Sequence, residues 1–174
     1  MLEAITKRRA CRSFDNNKEV EQSKIDEIVR AGLLAPSGMN RQTPVIIVIK
    51  DRETRDKLME LNRAAGNGRF PSNLDPFYNA PVILLVIANK NGLSMLDGAA
   101  AMENILLEAT NQGLASVWIH RAKEEIESAD GRNLLSFTGL NFDDYIGIGH
   151  AAIGYPKDYS YSEKKINEGR SFQK

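Results

Sequence analysis

Apolar residues along this chain follow two rhythms. Continuous apolar runs occupy residues 45–49 and 82–88, and largely apolar ones 115–119 and 145–154. Runs of that length, bounded by Gly, Pro or charged residues, predict strands, and the β-branched 45–49 predicts one buried on both faces. Between them the spacing changes to that of a helix face. Leu2, Ala4 and Ile5 predict a short helix over 2–9, and Ile25, Ile28, Val29 and Leu33 predict a second. Ser23 stands where an N-cap belongs, with Asp26 completing a box-like pattern. Asp51 or Asp56 opens a charged amphipathic helix ending near Ala65, with Leu58 and Leu61 inward. The longest helix covers 95–112, where Ala99, Met102, Ile105, Leu106 and Ala109 repeat at helical spacing. Leu96, Ala100, Ala101 and Leu107 widen that apolar face, so this helix is expected to be covered nearly all round. Gly113 caps it, and 123–136 predicts one polar helix. Residues 66–81 carry no period, and 155–174 form a polar tail without one.

Two stretches hold more polar chemistry than connections need. Residues 35–44, Ala-Pro-Ser-Gly-Met-Asn-Arg-Gln-Thr-Pro, join the second helix to the first strand. This is either an αβ turn built from chain-breaking residues or a binding loop on a rigid scaffold. The other stretch is Arg8-Arg9-Ala10-Cys11-Arg12. Its arginines either fork around a phosphate or end a helix as a solvated basic face.

Composition narrows the classes. The chain has 174 residues, long enough for one domain with a real core. Lys and Arg number 23 and so do Asp and Glu, which removes the basic excess of a dedicated nucleic-acid binder. Cys11 is the only cysteine, so an internal disulfide is excluded. No Cys/His cluster has metal spacing. The first residues lack the apolar core of a signal peptide, and no run approaches the about 20 apolar residues of a membrane span. A soluble cytoplasmic protein is the expectation. Gly147, Gly149 and Ala152 fit a dinucleotide-binding pattern formally, but they lie within a strand instead of opening a helix.

Four segments together resemble the nitroreductase family of FMN-dependent oxidoreductases. They are Arg8-Arg9-x-x-Arg12-x-Phe14, the loop 35–44, Asp97-Gly98-Ala99-Ala100-Ala101-x-x-Asn104-Ile105-Leu106-Leu107-x-Ala109 with Gly113-Leu114-Ala115-Ser116, and Gly149 through Gly154-Tyr155-Pro156. The resemblance implies an α+β fold with a mostly antiparallel central sheet flanked by helices. It implies an intertwined homodimer with FMN at the interface. Residues 1–154 would form the FMN-binding domain and 155–174 an arm crossing to the partner subunit. Arg8 and Arg12 would hold the FMN phosphate, with Arg9 beside it. Pro36, Ser37, Met39, Asn40 and Gln42 would line the flavin from the other chain. Asn73 would meet the flavin edge, and Trp118, Ile119, His120 and Arg121 would border its other face. Lys164 and Lys165 would add phosphate contacts. Phe70, Phe77 and Tyr78 are candidates for an aromatic wall over the substrate pocket, or for ordinary loop packing.

The implied activity is ping-pong hydride transfer from NAD(P)H to nitroaromatic or quinone-type acceptors. The implied alternatives are reductive dehalogenation, flavin fragmentation, azoline oxidation or flavin binding alone. No catalytic dyad is expected, because the cofactor carries the chemistry, and His120 and His150 have no partner visible in the sequence. Two departures stand out. The family often continues its loop Gln-Pro-Trp, whereas here it reads Gln42-Thr43-Pro44-Val45. His120-Arg121 also bring bulk and charge where some members have small residues.

Overall fold

A computed structural model describes residues 1–68, 71, 73–90, 92–157 and 162–173. Four antiparallel strands form one sheet in the order β1-β2-β4-β3: β1 Pro44–Ile49, β2 Val82–Asn89, β3 Ala115–Ile119 and β4 Tyr145–Gly154. The helices are α1 Glu3–Lys7, α2 Gln22–Leu33, α3 Arg52–Ala65, α4 Ser94–Asn111, α5 Ala122–Glu127 and α6 Ala129–Leu134. The architecture is α+β, as the resemblance implies. No helix among the described residues is long and apolar enough to cross a membrane.

Strand alternation divides the core in two. β2 is central, and its side chains point to opposite faces in turn. Ile83, Leu85 and Ile87 join Cys11, Phe14, Leu58, Phe77, Ile126 and Leu135 on one side. Val82, Leu84, Val86 and Ala88 join Ile25, Ile28, Met102, Ile105 and Leu106 of α2 and α4 on the other. Gly32 and Gly98 permit this second layer to close. A Cβ on Gly32 would come 2.7 Å from Ile46 Cδ1, and one on Gly98 would come 2.4 Å from Ile148 Cγ1.

Several local expectations change. α2 is capped at Glu21, and Ser23 lies inside its first turn. Val20 and Ile25 are both buried in the same cluster, five residues apart across that cap. This is the arrangement of a hydrophobic staple, which sets the entry angle of the chain without a side-chain cap. The segment 123–136 is two helices, because Ser128 is extended (ψ 150) and its hydroxyl accepts from Gly131 N to start α6. β1 is an edge strand and only Ile47 and Ile49 are fully buried, so its apolar run is not covered on both faces. α4 is buried on one side only: Leu96 is 68% exposed, and Leu107 is half-buried. Asp51 caps α3 by accepting from Thr54 N at 2.8 Å. Gly113 (φ +74) ends α4, with Leu114 N bonding back to Ala109 O at 2.8 Å. Gly147 and Gly149 lie within β4. A Cβ on Gly147 would sit 2.3 Å from the Ala122 carbonyl carbon of α5 and one on Gly149 2.2 Å from Trp118 Nε1 of β3, so these glycines serve close packing on β4.

Candidate functional site

The loop between α2 and β1 is held in a strained shape. Pro36 prevents α2 from continuing, and Gly38–Asn40 make a single 3-10 turn. Met39 (φ 53), Asn40 (φ 54) and Gln42 (φ 50) all occupy the left-handed region. Non-glycine residues enter that region rarely, and only where surroundings over-determine them. Here the surroundings are Asp97 and Ser37. Asp97, buried in the first turn of α4, accepts from Gly38 N at 2.9 Å through one oxygen and from Thr43 Oγ1 at 2.8 Å through the other. Ser37 Oγ accepts from Gln42 N at 2.8 Å. Tied at both ends, the loop turns Pro36, Met39, Asn40, Arg41 and Gln42 outward, and Met39 is 75% exposed. Asp97 was legible only as part of a motif; its role as the loop's anchor was not. Thr43, a departure from the family pattern, supplies the hydroxyl that closes this anchor.

The arginine stretch is bound to the ends of β3 and β4. Cys11 N donates to Ser116 O at 3.0 Å, Asp15 N to Tyr155 O at 2.9 Å, and Lys157 N to Ser13 O at 3.0 Å. Cys11 and Phe14 point into the core and Arg12 points out. Burial pushes the Cys11 thiol up, partly offset by its bond to the Ser13 carbonyl. Arg8 is half-buried, with Glu103 at a long 3.9 Å. Arg12 makes no ion pair with any described residue. Arg9 differs from both: it donates to the carbonyls of Thr6, Arg8 and Ser162. Its guanidinium therefore ties down the tail just before Lys164 and Lys165, which are exposed.

Arg12 lines an open groove of about 610 Å³ together with Asn73, Asp75, Tyr78 and Lys157. The loop carrying Asn73 and Tyr78 is built on Asp75. That carboxylate accepts from Phe77 N at 2.7 Å and Asn79 N at 2.8 Å, and pairs with the buried Arg55 of α3. Phe77 is fully buried, edge-on to His150 at 5.3 Å and 5.7 Å from Arg55. It is a core anchor and cannot be a pocket wall, because no face of the ring reaches solvent. Tyr78 is half-buried and does line the groove. Phe70 lies outside the described residues.

At the end of β3 the chain turns sharply into α5. Trp118 is half-buried with its ring 6.2 Å from that of His120. Ile119 is buried, His120 is exposed, and Arg121 takes the left-handed conformation (φ 79) as it caps α5. His150 does have a partner: its Nε2 lies 2.7 Å from Glu125 Oε2, and both side chains are fully buried. No sequence signal joins these two residues, since they come from different elements that meet only in the fold.

Chemically the arrangement offers cations, amides and exposed backbone turns. The His150–Glu125 pair is sealed from solvent. Among the described residues no three His, Cys, Asp or Glu side chains group as a metal site. No hydrogen bond or ion pair joins loop residues 36–42 to Arg8, Arg9 or Arg12 within the described chain.

Comparison with known proteins agrees with this fold. A crystal structure of a nitroreductase with bound FMN from Bacteroides fragilis superposes with a TM-score of 0.85 at 25% identity, covering 95% of this chain and 94% of that one. A relative in Archaeoglobus fulgidus, provisionally named an NADH dehydrogenase/NAD(P)H nitroreductase, is 30% identical over 163 residues, 90% of this chain and 86% of its own length. An FMN reductase [NAD(P)H] from Bacillus subtilis is 28% identical over 66% of this chain and 46% of its own. The profile of the nitroreductase family matches residues 5–155, and the chain belongs to that family.

Proposed function

We propose that this protein is an FMN-dependent NAD(P)H oxidoreductase. It transfers hydride by a ping-pong route to nitroaromatic or quinone-type acceptors, as a cytoplasmic homodimer with FMN at the interface. The observation that carries this reading is Arg12, a guanidinium without an ionic partner among the described residues, opening on one groove with Asn73 and Tyr78. Arg12 is exposed, so its charge is free to meet a ligand anion, and the half-buried Arg8 beside it has only a distant carboxylate. This donor set suits a phosphomonoester, which arginine binds with paired, charge-assisted hydrogen bonds. FMN fits on that ground, and the FMN-bound B. fragilis relative supports it.

Bound FMN supplies the hydride chemistry between nicotinamide and acceptor. The chain's residues do the rest. Arg8 and Arg12 hold the phosphate. Arg9 anchors the tail, bringing Lys164 and Lys165 close behind it. Asn73 borders the ring edge, Tyr78 walls the substrate side, and the 118–121 turn presents backbone amides to the ring face. Pro36, Ser37, Met39, Asn40 and Gln42 serve the site of the other subunit. In favour of that division, the loop makes no described polar contact with its own arginines and turns its side chains outward. In favour of the dimer, Leu2, Ile5, Leu34 and Leu107 line an uncovered apolar groove of about 440 Å³ between α1, α2 and α4. A patch of this kind marks an interface. The tail 155–174 would then complete the partner.

An anaerobic absorbance titration of the purified protein with NADH and NADPH tests the assignment. The expected result is a bound flavin spectrum that bleaches stoichiometrically and returns on adding a quinone. Protein that stays colourless after incubation with FMN would overturn it.

A further inference from the structure

A buried polar chain runs through the molecule that the binding scheme above does not use. It begins at the fully buried His150–Glu125 pair between β4 and α5. The other Glu125 oxygen accepts from Asn62 Nδ2 of α3. Asn62 is 0% exposed. Its Nδ2 also donates to the His120 carbonyl at 2.9 Å. Its Oδ1 accepts from Arg121 Nη2 at 2.9 Å and Nε at 3.1 Å, and its main-chain carbonyl accepts from Arg121 Nε at 3.1 Å. The asparagine amide has two donor hydrogens and one acceptor oxygen, so its capacity is fully engaged.

These contacts converge on a single peptide. His120 contributes its carbonyl and Arg121 its side chain, and Arg121 stands at φ +79. A Cβ-bearing residue is disfavoured there, by roughly five- to thirtyfold in population. Asn62 holds this corner through the His120 carbonyl on one side and the Arg121 guanidinium on the other. The Glu125 carboxylate accepts only, so it fixes which end of the Asn62 amide faces it and prevents the amide from flipping. In a trans peptide the carbonyl and the following N–H point in opposite directions. By drawing the His120 carbonyl inward, Asn62 turns the Arg121 amide away from the core.

We propose that Asn62, oriented by the Glu125–His150 pair, is a positioning residue that holds the strained His120–Arg121 corner in the conformation that meets the flavin ring. The inference rests on the FMN reading above. It assigns to α3 and α5, neither of which carries a proposed flavin contact, control over the geometry of that contact.

The test compares Arg121→Ala with Arg121→Gly, alone and combined with Asn62→Ala. Both Arg121 variants lose the same guanidinium and the same clamp; they differ only in the Cβ that left-handed backbone disfavours. Three quantities are read: FMN dissociation constant by flavin fluorescence, flavin midpoint potential, and the unfolding temperature of the flavin-free protein. Arg121→Ala is expected to bind FMN up to roughly thirtyfold more weakly than Arg121→Gly and to shift the potential further from wild type. Asn62→Ala is expected to cost less in the Arg121→Gly background than in wild type. Equal FMN affinity and potential for Arg121→Ala and Arg121→Gly would overturn the proposal, even if their flavin-free stabilities differ, because the corner would then matter to folding alone. The two Arg121 variants suffice if Asn62→Ala fails to fold. Wild type that takes up no FMN would remove the cofactor reading and this inference together. Wild type that binds FMN, with matched Arg121 variants, would remove this inference alone.

Discussion

Asp97 accepts the Thr43 hydroxyl at 2.8 Å across 54 residues of sequence, and the same carboxylate caps Gly38 N. That one side chain ties the start of α4 to both ends of the loop that carries Met39, Asn40 and Gln42. The loop's three left-handed residues persist because the anchor leaves no relaxed alternative. Thr43→Val removes one hydrogen bond to a buried carboxylate and leaves the oxygen unsatisfied, a loss of about 2 kcal/mol. Urea unfolding should register that loss. FMN titration should show weaker binding if the loop walls the cofactor, and Asp97→Ala should be worse than Thr43→Val on both counts.

Arg12→Ala should weaken FMN binding by at least about tenfold, the value of a charge-assisted hydrogen bond lost from a phosphate. Riboflavin lacks the phosphate, so its affinity should hardly change. Fluorescence titrations of both ligands against wild type and variant separate a phosphate contact from general damage to the site. An equal loss for both ligands would place Arg12 elsewhere.

The His150–Glu125 pair has no solvent to fall back on. Glu125→Ala strands the imidazole and the Asn62 amide in the core, and should destabilise the fold by about 3–5 kcal/mol. Glu125→Gln keeps an acceptor for Asn62 and offers an amide to the imidazole in place of the charge. Its cost in urea unfolding should be the smaller of the two. Similar costs for both would mean that the charge, and not the hydrogen-bond pattern, holds this part of the core.

Cys11 is predicted to be silent in the folded state. Its thiol is held above its ordinary value of 9.0 by burial, against a smaller opposing effect from the Ser13 carbonyl. The thiolate is the reactive form, so a chromogenic disulfide reagent at pH 8 should label the protein only after unfolding. The pH dependence follows the same sign. A folded-state pKa above the unfolded one gives stability that is complete below the unfolded value and lost as pH rises through the folded one. The melting-temperature advantage of wild type over Cys11→Ala should therefore shrink between pH 8 and pH 10.5.

Much of this protein was decided locally. The apolar run at 82–88 and the largely apolar 145–154 became β2 and β4, each bounded by chain-breaking or charged residues. Asp51 started α3 and Gly113 closed α4 as their side chains, or the lack of one, require. Arg12 faces outward between buried Cys11 and Phe14, as the charge of the one and the apolar side chains of the others require. The loop at 35–44 could be recognised as over-supplied with polar groups, though a turn explained it equally well.

What the sequence could not specify were relationships between separate elements. Phe77 looks like any loop aromatic until Arg55 and His150 enclose it. Ser23 looks like a cap until the burial of Val20 and Ile25 in one cluster places the cap at Glu21. Asn62, Glu125 and His150 sit on three elements with no shared motif, and only the packing of α3 and α5 on β4 brings them within hydrogen-bond reach. Periodicity, capping and chain breaking act over a few residues, so they can be read along the chain. Burial and the pairing of buried polar groups act across the sheet, and there the tertiary structure alone determined which residue meets which.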